Sequence, residues 1–322
     1  MREVAFIKRN KQKWLDFEQA ILGKVKKNPD DLADLYIQLV NDLSFAQTYY
    51  PKSKTVVYLN HLAATAFQQI YKTKRTDTNQ LSSFFKVEVP YIIRQNRRFL
   101  VYAFVLFFIS VSLGVLSAIY DDSFVRLILG DEYVDLTLDN IKKGDPVAIY
   151  KSGSNWGSFI GITMNNLQVG LKCFVYGVTG GFGTMYIMFH NGIMLGSFQT
   201  FFAQQDVFWE SVRGIWIHGA MEIFAIVIET MAGLILGASI LFPGTYSRLD
   251  SFKSGMRKGL KIWLSTMPFT IMAGFLEGFI TRYSNVMPNV VSAGIILMTL
   301  SLISWYYLVY PFRQMDIEKI DI

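Results

Sequence analysis

The hydrophobic positions along this chain fall into two regimes. From Met1 to about Arg98 they recur at helical spacing among many charges, as in a folded helical domain with one buried face per helix. From Phe99 onward they merge into long apolar runs. Phe99–Tyr120 contains 22 residues without a charge, about 33 Å as a helix, against a hydrocarbon core of about 30 Å.

In the first regime, Asn28-Pro29-Asp30-Asp31 reads as a helix start, with a capping Asn, Pro at the first helical position and acids in the first turn. Leu32, Leu35, Tyr36, Leu39 and Leu43 then supply one face. Pro51 ends that helix, and Val57, Leu59, Leu62, Ala66 and Ile70 mark the next. Thr78-Asn79 opens a fourth segment towards Arg98, bent or restarted at Pro90. The start, Met1–Lys27, is charged and amphipathic, unlike a signal peptide. Residues 1–97 are therefore expected to form a soluble helical domain.

In the second regime, residues 98–312 are expected to form a membrane domain with six spans, at about 99–120, 157–179, 183–203, 214–241, 262–281 and 289–310. His190, Asn191, Gln199 and Gln204 dilute the third, where a pair of re-entrant helices keeps the same topology. Residues 121–156 form an outer loop, with a short amphipathic helix at Val134–Ile141 ended by Gly144-Asp145-Pro146. Residues 313–322 form a tail. The expected fold class is all-α: a polytopic membrane bundle behind an N-terminal soluble helical domain.

Charge orients this bundle. Hydrophobic residues make up 52% of the chain and charged residues 17%, below the roughly 25% of soluble domains. The net charge of +6 is uneven: residues 1–98 hold 17 Lys/Arg against 9 Asp/Glu, and the rest hold 14 against 16. Arg94, Arg97 and Arg98 precede the first span, and Arg248, Lys253, Arg257, Lys258 and Lys261 crowd the segment between the fourth and fifth spans. The intervening loop 121–156 holds seven acids and four bases. By the positive-inside rule both termini are cytoplasmic. Beside membrane spans, the basic N-terminal region suits a solvated or lipid-facing surface better than nucleic acid. The single cysteine, Cys173, excludes an internal disulfide.

Polar residues inside the spans need a reason, because each is expensive in a bilayer. His218, Glu222 and Glu229 sit at i, i+4 and i+11, within about 40° of one another around a helix. Asn165 and Asn166 in the second span, Asn191 in the third and Glu277 in the fifth complete a candidate polar centre. Gly-x-x-x-Gly spacing at Gly157/Gly161, Gly177/Gly181, Gly192/Gly196, Gly233/Gly237 and Gly274/Gly278 predicts close helix packing, with the last three pairs as the packing candidates. The centre can be purely structural, its carboxylates protonated or hydrogen-bonded to the asparagines. It can be a transport or proton path. It can also touch an ion, through His218 and Glu222 with His190 as a third ligand, although no His-Glu-x-x-His motif is present. No Walker loop, Gly-x-Ser-x-Gly elbow or cysteine nucleophile setting occurs, so neither catalysis nor a cofactor is expected.

Several segments carry a family resemblance. Ile217-His218-Gly219-Ala220-Met221-Glu222-Ile223 is similar to the His-Gly-x-x-Glu signature of the stage II sporulation protein M family, with Ala225, Gly233 and Gly237 behind it. Asn165-Asn166, Asn191-Gly192 with Gly196, Phe242 to Arg248 and Glu277 to Arg282 match in the same order. Asp42-Leu43-Ser44 and Tyr50-Pro51-Lys52-Ser53-Lys54 resemble the N-terminal region of long, non-sporulating members. The resemblance implies an inner-membrane scaffold that recruits peptidoglycan-degrading or other envelope partners and is not itself a hydrolase.

Two functions follow as expectations. The first is a scaffold or assembly subunit in contact with membrane lipids, holding other membrane or envelope proteins and forming a homo-oligomer. The alternative is a permease or channel subunit that moves a small polar solute or protons along the His/Glu/Asn path. An intramembrane hydrolase would require a nucleophile or metal site.

Overall fold

The computed structural model describes residues 2–21, 29–71, 80–151 and 153–313. The expected caps at Asn28 and Thr78-Asn79, and the tail beyond Arg313, lie outside them. Helices dominate, and no strand occurs among the described residues. The chain divides into two compact units, Met1–Asn79 and Gln80–Ile322.

The first unit holds α1 (Glu3–Ile21), α2 (Pro29–Tyr49) and α3 (Lys54–Tyr71). Phe6, Trp14, Phe17 and Ile21 recur at helical spacing on α1 and bury against Leu39 and Ala46 of α2 and Leu59, Leu62 and Ala66 of α3. The polar groups at the edge of this core are paired. The Trp14 indole donates to Asp42 Oδ2 at 2.9 Å, and Lys13 Nζ lies 3.2 Å from the same oxygen. Tyr58 donates to Glu18 at 3.0 Å; burial and this acceptor push the phenol up to about 12. Glu3 accepts from the Ser53 hydroxyl and, at 2.8 Å, from that of Thr55, which holds its carboxyl below the usual range.

The second unit opens with α4, the helical segment 80–95. The sequence reading placed it in the soluble domain; the structure assigns it to the second unit, because Val89, Ile92 and Ile93 bury in that unit's main core. Pro90 cannot donate to the helix ladder, and the helix widens into a π-helical turn at Phe84–Glu88 just before it. Glu88 pairs with Lys261 Nζ at 2.6 Å, and the hydroxyls of Tyr306 and Tyr310 donate to the Phe85 and Lys86 carbonyls.

Then follow α5 (Arg97–Tyr120), the paired short helices α6 (Asp122–Leu129) and α7 (Asp131–Lys142), α8 (Asn155–Val175), α9 (Phe182–Gln204), α10 (Phe208–Leu241), α11 (Arg248–Tyr283) and α12 (Asn289–Phe312). Four of these, α5, α10, α11 and α12, are long and apolar enough to cross a membrane. At 21 and 23 residues, α8 and α9 have the length for the second and third predicted spans, but they are not among those four. The central helix is α10: 67% of its most apolar stretch is buried, against 22% for α5 and α12. Val101, Val105, Phe108, Leu113 and Leu116 of α5 stay exposed, as a lipid-facing stripe should.

The segment 121–156 is more ordered than its description as a loop implies. Its expected helix at Val134–Ile141 is there, extended to Asp131–Lys142, and a second helix, α6, precedes it. Asp121 caps α6 by accepting from the Ser123 backbone N–H at 2.9 Å. Arg126 ties the pair together, at 3.0 Å from Asp131 and 2.7 Å from Asp135. Val125 and Val134 bury against Ala118, Phe198, Phe201, Phe202 and Ile215, so α6 and α7 cap one end of the bundle.

A candidate polar binding site inside the membrane unit

A cavity of about 590 Å³ lies among α5–α11, within the 300–1,000 Å³ usual for small-ligand sites. Asn165, Asn166, Asn191, His218, Glu222, Glu229 and Glu277 all line it. The whole predicted polar set therefore converges, although it comes from four helices. Along α10, His218 and Glu229 are 11 residues apart, so the polar wall runs for about 16 Å. Ile128, Leu129 and Tyr133 of α6 and α7 line the cavity too. Deeper along α10 the buried residues turn apolar, with Met231, Ala232, Ile235 and Leu236 in the core beside Phe174 and Tyr307.

The polar groups are individually supported. Asn166 Nδ2 donates to Glu222 Oε1 at 2.6 Å, and Thr266 donates to Glu229 Oε1 at 2.7 Å. His218 is 3% exposed; its Nδ1 lies 2.9 Å from Thr281 Oγ1 and its Nε2 lies 3.6 Å from Glu277 Oε2. Asn191 instead donates to the Ile187 carbonyl at 2.8 Å. His218, Glu222 and Glu277 offer ligand atoms within 4.8 Å of one another. Exposed His190, expected to complete such a trio, is absent from the cavity wall, and Glu277 takes its place.

Glu277 sits in a π-helical turn, Leu276–Ile280, that continues the α11 helix. Two other such turns among the described residues, Phe84–Glu88 and Trp305–Val309, lie just ahead of Pro90 and Pro311. This one has no proline within reach to explain it, and π turns of that kind recur at functional sites. Pro268 interrupts the ladder of the same helix nine residues earlier.

Glycines set the helix spacing around the cavity. A Cβ at Gly192 or Gly196 would overlap Ser110 or the Val111 carbonyl of α5. One at Gly233 would meet Thr184 and the Cys173 carbonyl, and one at Gly237 the Gly180-Gly181 backbone, where Gly181 holds φ of 91°. Gly274 abuts Thr163, and Gly278 abuts Asn155 and Phe159. Gly177 abuts Gly233. The Gly157/Gly161 pair is different: Gly157 faces only its own capping Ser154, and Gly161 meets nothing within 4 Å and lines the cavity. Sequence reading missed Gly170, whose absent side chain leaves room for the Glu229 carboxylate. It also missed Thr266, Thr270 and Thr281, since neutral hydroxyls in an apolar run give no signal of their own.

Comparison with known proteins places this architecture. No curated protein and no solved structure matches the chain. A family model described as a domain of unknown function (DUF8413) matches residues 4–72, the first unit. The family model for stage II sporulation protein M matches residues 103–282, which hold every residue of the polar centre and more than half of the chain. The chain therefore belongs to the stage II sporulation protein M family.

Proposed function

We propose that this protein is a non-enzymatic, multipass membrane protein whose polar cavity binds a small polar solute, a proton or a cation and passes it across the bilayer, as a permease or channel subunit. The observation that carries this reading is the meeting of seven polar residues from α8, α9, α10 and α11 around one space. Hydrogen bonds already hold several of those groups, and a structural role alone would be met by closing the space between them as well, because voids cost stability. The cavity stretches from the α6–α7 end to Glu229 and stops at an apolar layer, as a half-open transport site does. Pro268 and the π turn at Leu276–Ile280 are places where α11 can bend to open the other side.

The topology belongs to the same proposal. With α8 and α9 counted as spans, six crossings place the basic segment after α10 and the first unit in the cytoplasm, and α6–α7 outside. The setting is the inner membrane, with lipid around α5 and α12.

The test is flux into proteoliposomes containing the purified full chain. Wild type should carry protons, a cation or a small amide faster than empty vesicles. Glu222→Gln should lower that rate at least tenfold while insertion and the gel-filtration profile stay unchanged. A wild-type chain indistinguishable from empty vesicles with all three classes would defeat the reading.

A scaffold role, with membrane or envelope proteins as partners, is favoured by a different observation: the first unit has its own core of Phe6, Trp14, Phe17, Leu39 and Leu59. It predicts that partners recovered stoichiometrically from native membranes are lost when residues 1–79 are removed. A chain recovered with no partner, or only with copies of itself, defeats that second reading.

A further inference from the structure

The geometry points to a divalent first-row transition-metal cation, such as Zn²⁺ or Mn²⁺, bound by His218, Glu222 and Glu277 in the cavity of the membrane unit. The proposal rests on reading that cavity as a binding chamber and names the class of its occupant.

Three features support it. The first is the donor set: one imidazole and two carboxylates are the mixed nitrogen–oxygen ligands that such cations take. Their atoms already lie within 4.8 Å of one another. Bonds of about 2.1 Å in a tetrahedral site would bring them to about 3.4 Å, a small rotamer adjustment.

The second is support from the outer shell. His218 Nδ1 is 2.9 Å from the Thr281 hydroxyl, so a proton on Nδ1 has an acceptor and Nε2 turns its lone pair towards the carboxylates. Asn166 donates to Glu222 Oε1, leaving Oε2 for a ligand. A metal-bound histidine whose second ring nitrogen is hydrogen-bonded, beside a ligating carboxylate that is itself held, is the usual outer-shell arrangement.

The third is electrostatic and spatial. Two carboxylates this close repel unless a proton or a cation neutralises them. The cavity beside them has room for the cation's remaining water ligands. The turn Leu276–Ile280 brings Glu277 into the trio without a proline to cause it.

The test uses the full chain in detergent, stripped with a chelator and titrated with Zn²⁺, Mn²⁺ and Co²⁺. Bound metal is counted by mass spectrometry, and Co²⁺ coordination is read from its visible absorption. Wild type should bind close to one ion per chain. His218→Ala and Glu277→Gln should each weaken binding at least tenfold, with gel filtration and tryptophan emission unchanged. Asp135→Asn, on α7, should bind as wild type does. His218→Cys should bind Co²⁺ and add a sulfur-to-cobalt charge-transfer band, a gained signal that a misfolded chain cannot give.

Absence of any bound ion in wild type overturns the proposal, and protons then neutralise the trio. Binding unchanged in both His218→Ala and Glu277→Gln overturns it as well. The permease reading fails separately. Binding with no cation flux supports the site as a resident ion and counts against transport of the ion. Flux of another solute in a chain that binds no metal keeps the permease and removes the metal.

Discussion

At the scale of single residues, a missing side chain can matter as much as a charged one. Gly170 leaves space for Glu229, whereas Gly161 opens onto the cavity. Gly170→Ala should therefore destabilise the protein by about 1–3 kcal/mol through overpacking. Gly161→Ala should be neutral or slightly stabilising, since Ala is the better helix former. Thermal unfolding of the two variants in one detergent measures the contrast, and equal effects would mean that Gly170 is not packed as described. Thr266→Val keeps the shape but removes the hydroxyl that donates to Glu229. It should cost about 1–3 kcal/mol, as expected when a buried acceptor loses its partner.

At the scale of elements, close backbone approach explains how a bundle can hold a polar interior without loosening. The contact between α5 and α9 depends on Gly192 and Gly196, whose surfaces press against Ser110 and Val111. Gly192→Val and Gly196→Val should each lower the unfolding temperature markedly and broaden the gel-filtration profile, because the two backbones must separate. Gly294→Val, on α12 with nothing within 4 Å, should leave both readouts close to wild type. The same reasoning shows why Gly-x-x-x-Gly spacing is only partly informative. At Gly192/Gly196 both glycines face a neighbour, whereas the spacing at Gly157/Gly161 meets no other helix.

For the whole molecule, the chain divides at residue 79 into two compact units. The first unit has its own aromatic core, with an ion pair between Lys13 and Asp42 at its edge. Residues 1–79 should express alone as a helical domain with a cooperative thermal transition, followed by circular dichroism. Its stability should fall in acid. Glu3 has a depressed folded value, so the stability from its Ser53 and Thr55 hydrogen bonds is complete above the ordinary carboxylate value near 4.5. That contribution is lost as the pH falls through the depressed value. Glu3→Gln should flatten this part of the pH profile, and an unchanged profile would remove Glu3 as its source.

How much of this was legible in the sequence follows from the range of each interaction. Hydrophobic periodicity is local, so the apolar runs, the helices of the first unit, the amphipathic helix at Val134–Ile141 and the stripe of His218, Glu222 and Glu229 could all be read directly. Family motifs named the membrane half. The boundary at residue 79 could not be read, because Val89, Ile92 and Ile93 look the same in a soluble core as in a membrane core until their partners are known. Nor could the choice of Glu277 over His190 beside His218 and Glu222. One lies 59 residues after His218 and the other 28 before it, and sequence distance carries no information about which helix faces which. Tertiary packing decided that, and with it the cavity. Polar residues dispersed over four helices share a site only when glycine-spaced backbones pack closely enough to bring them together.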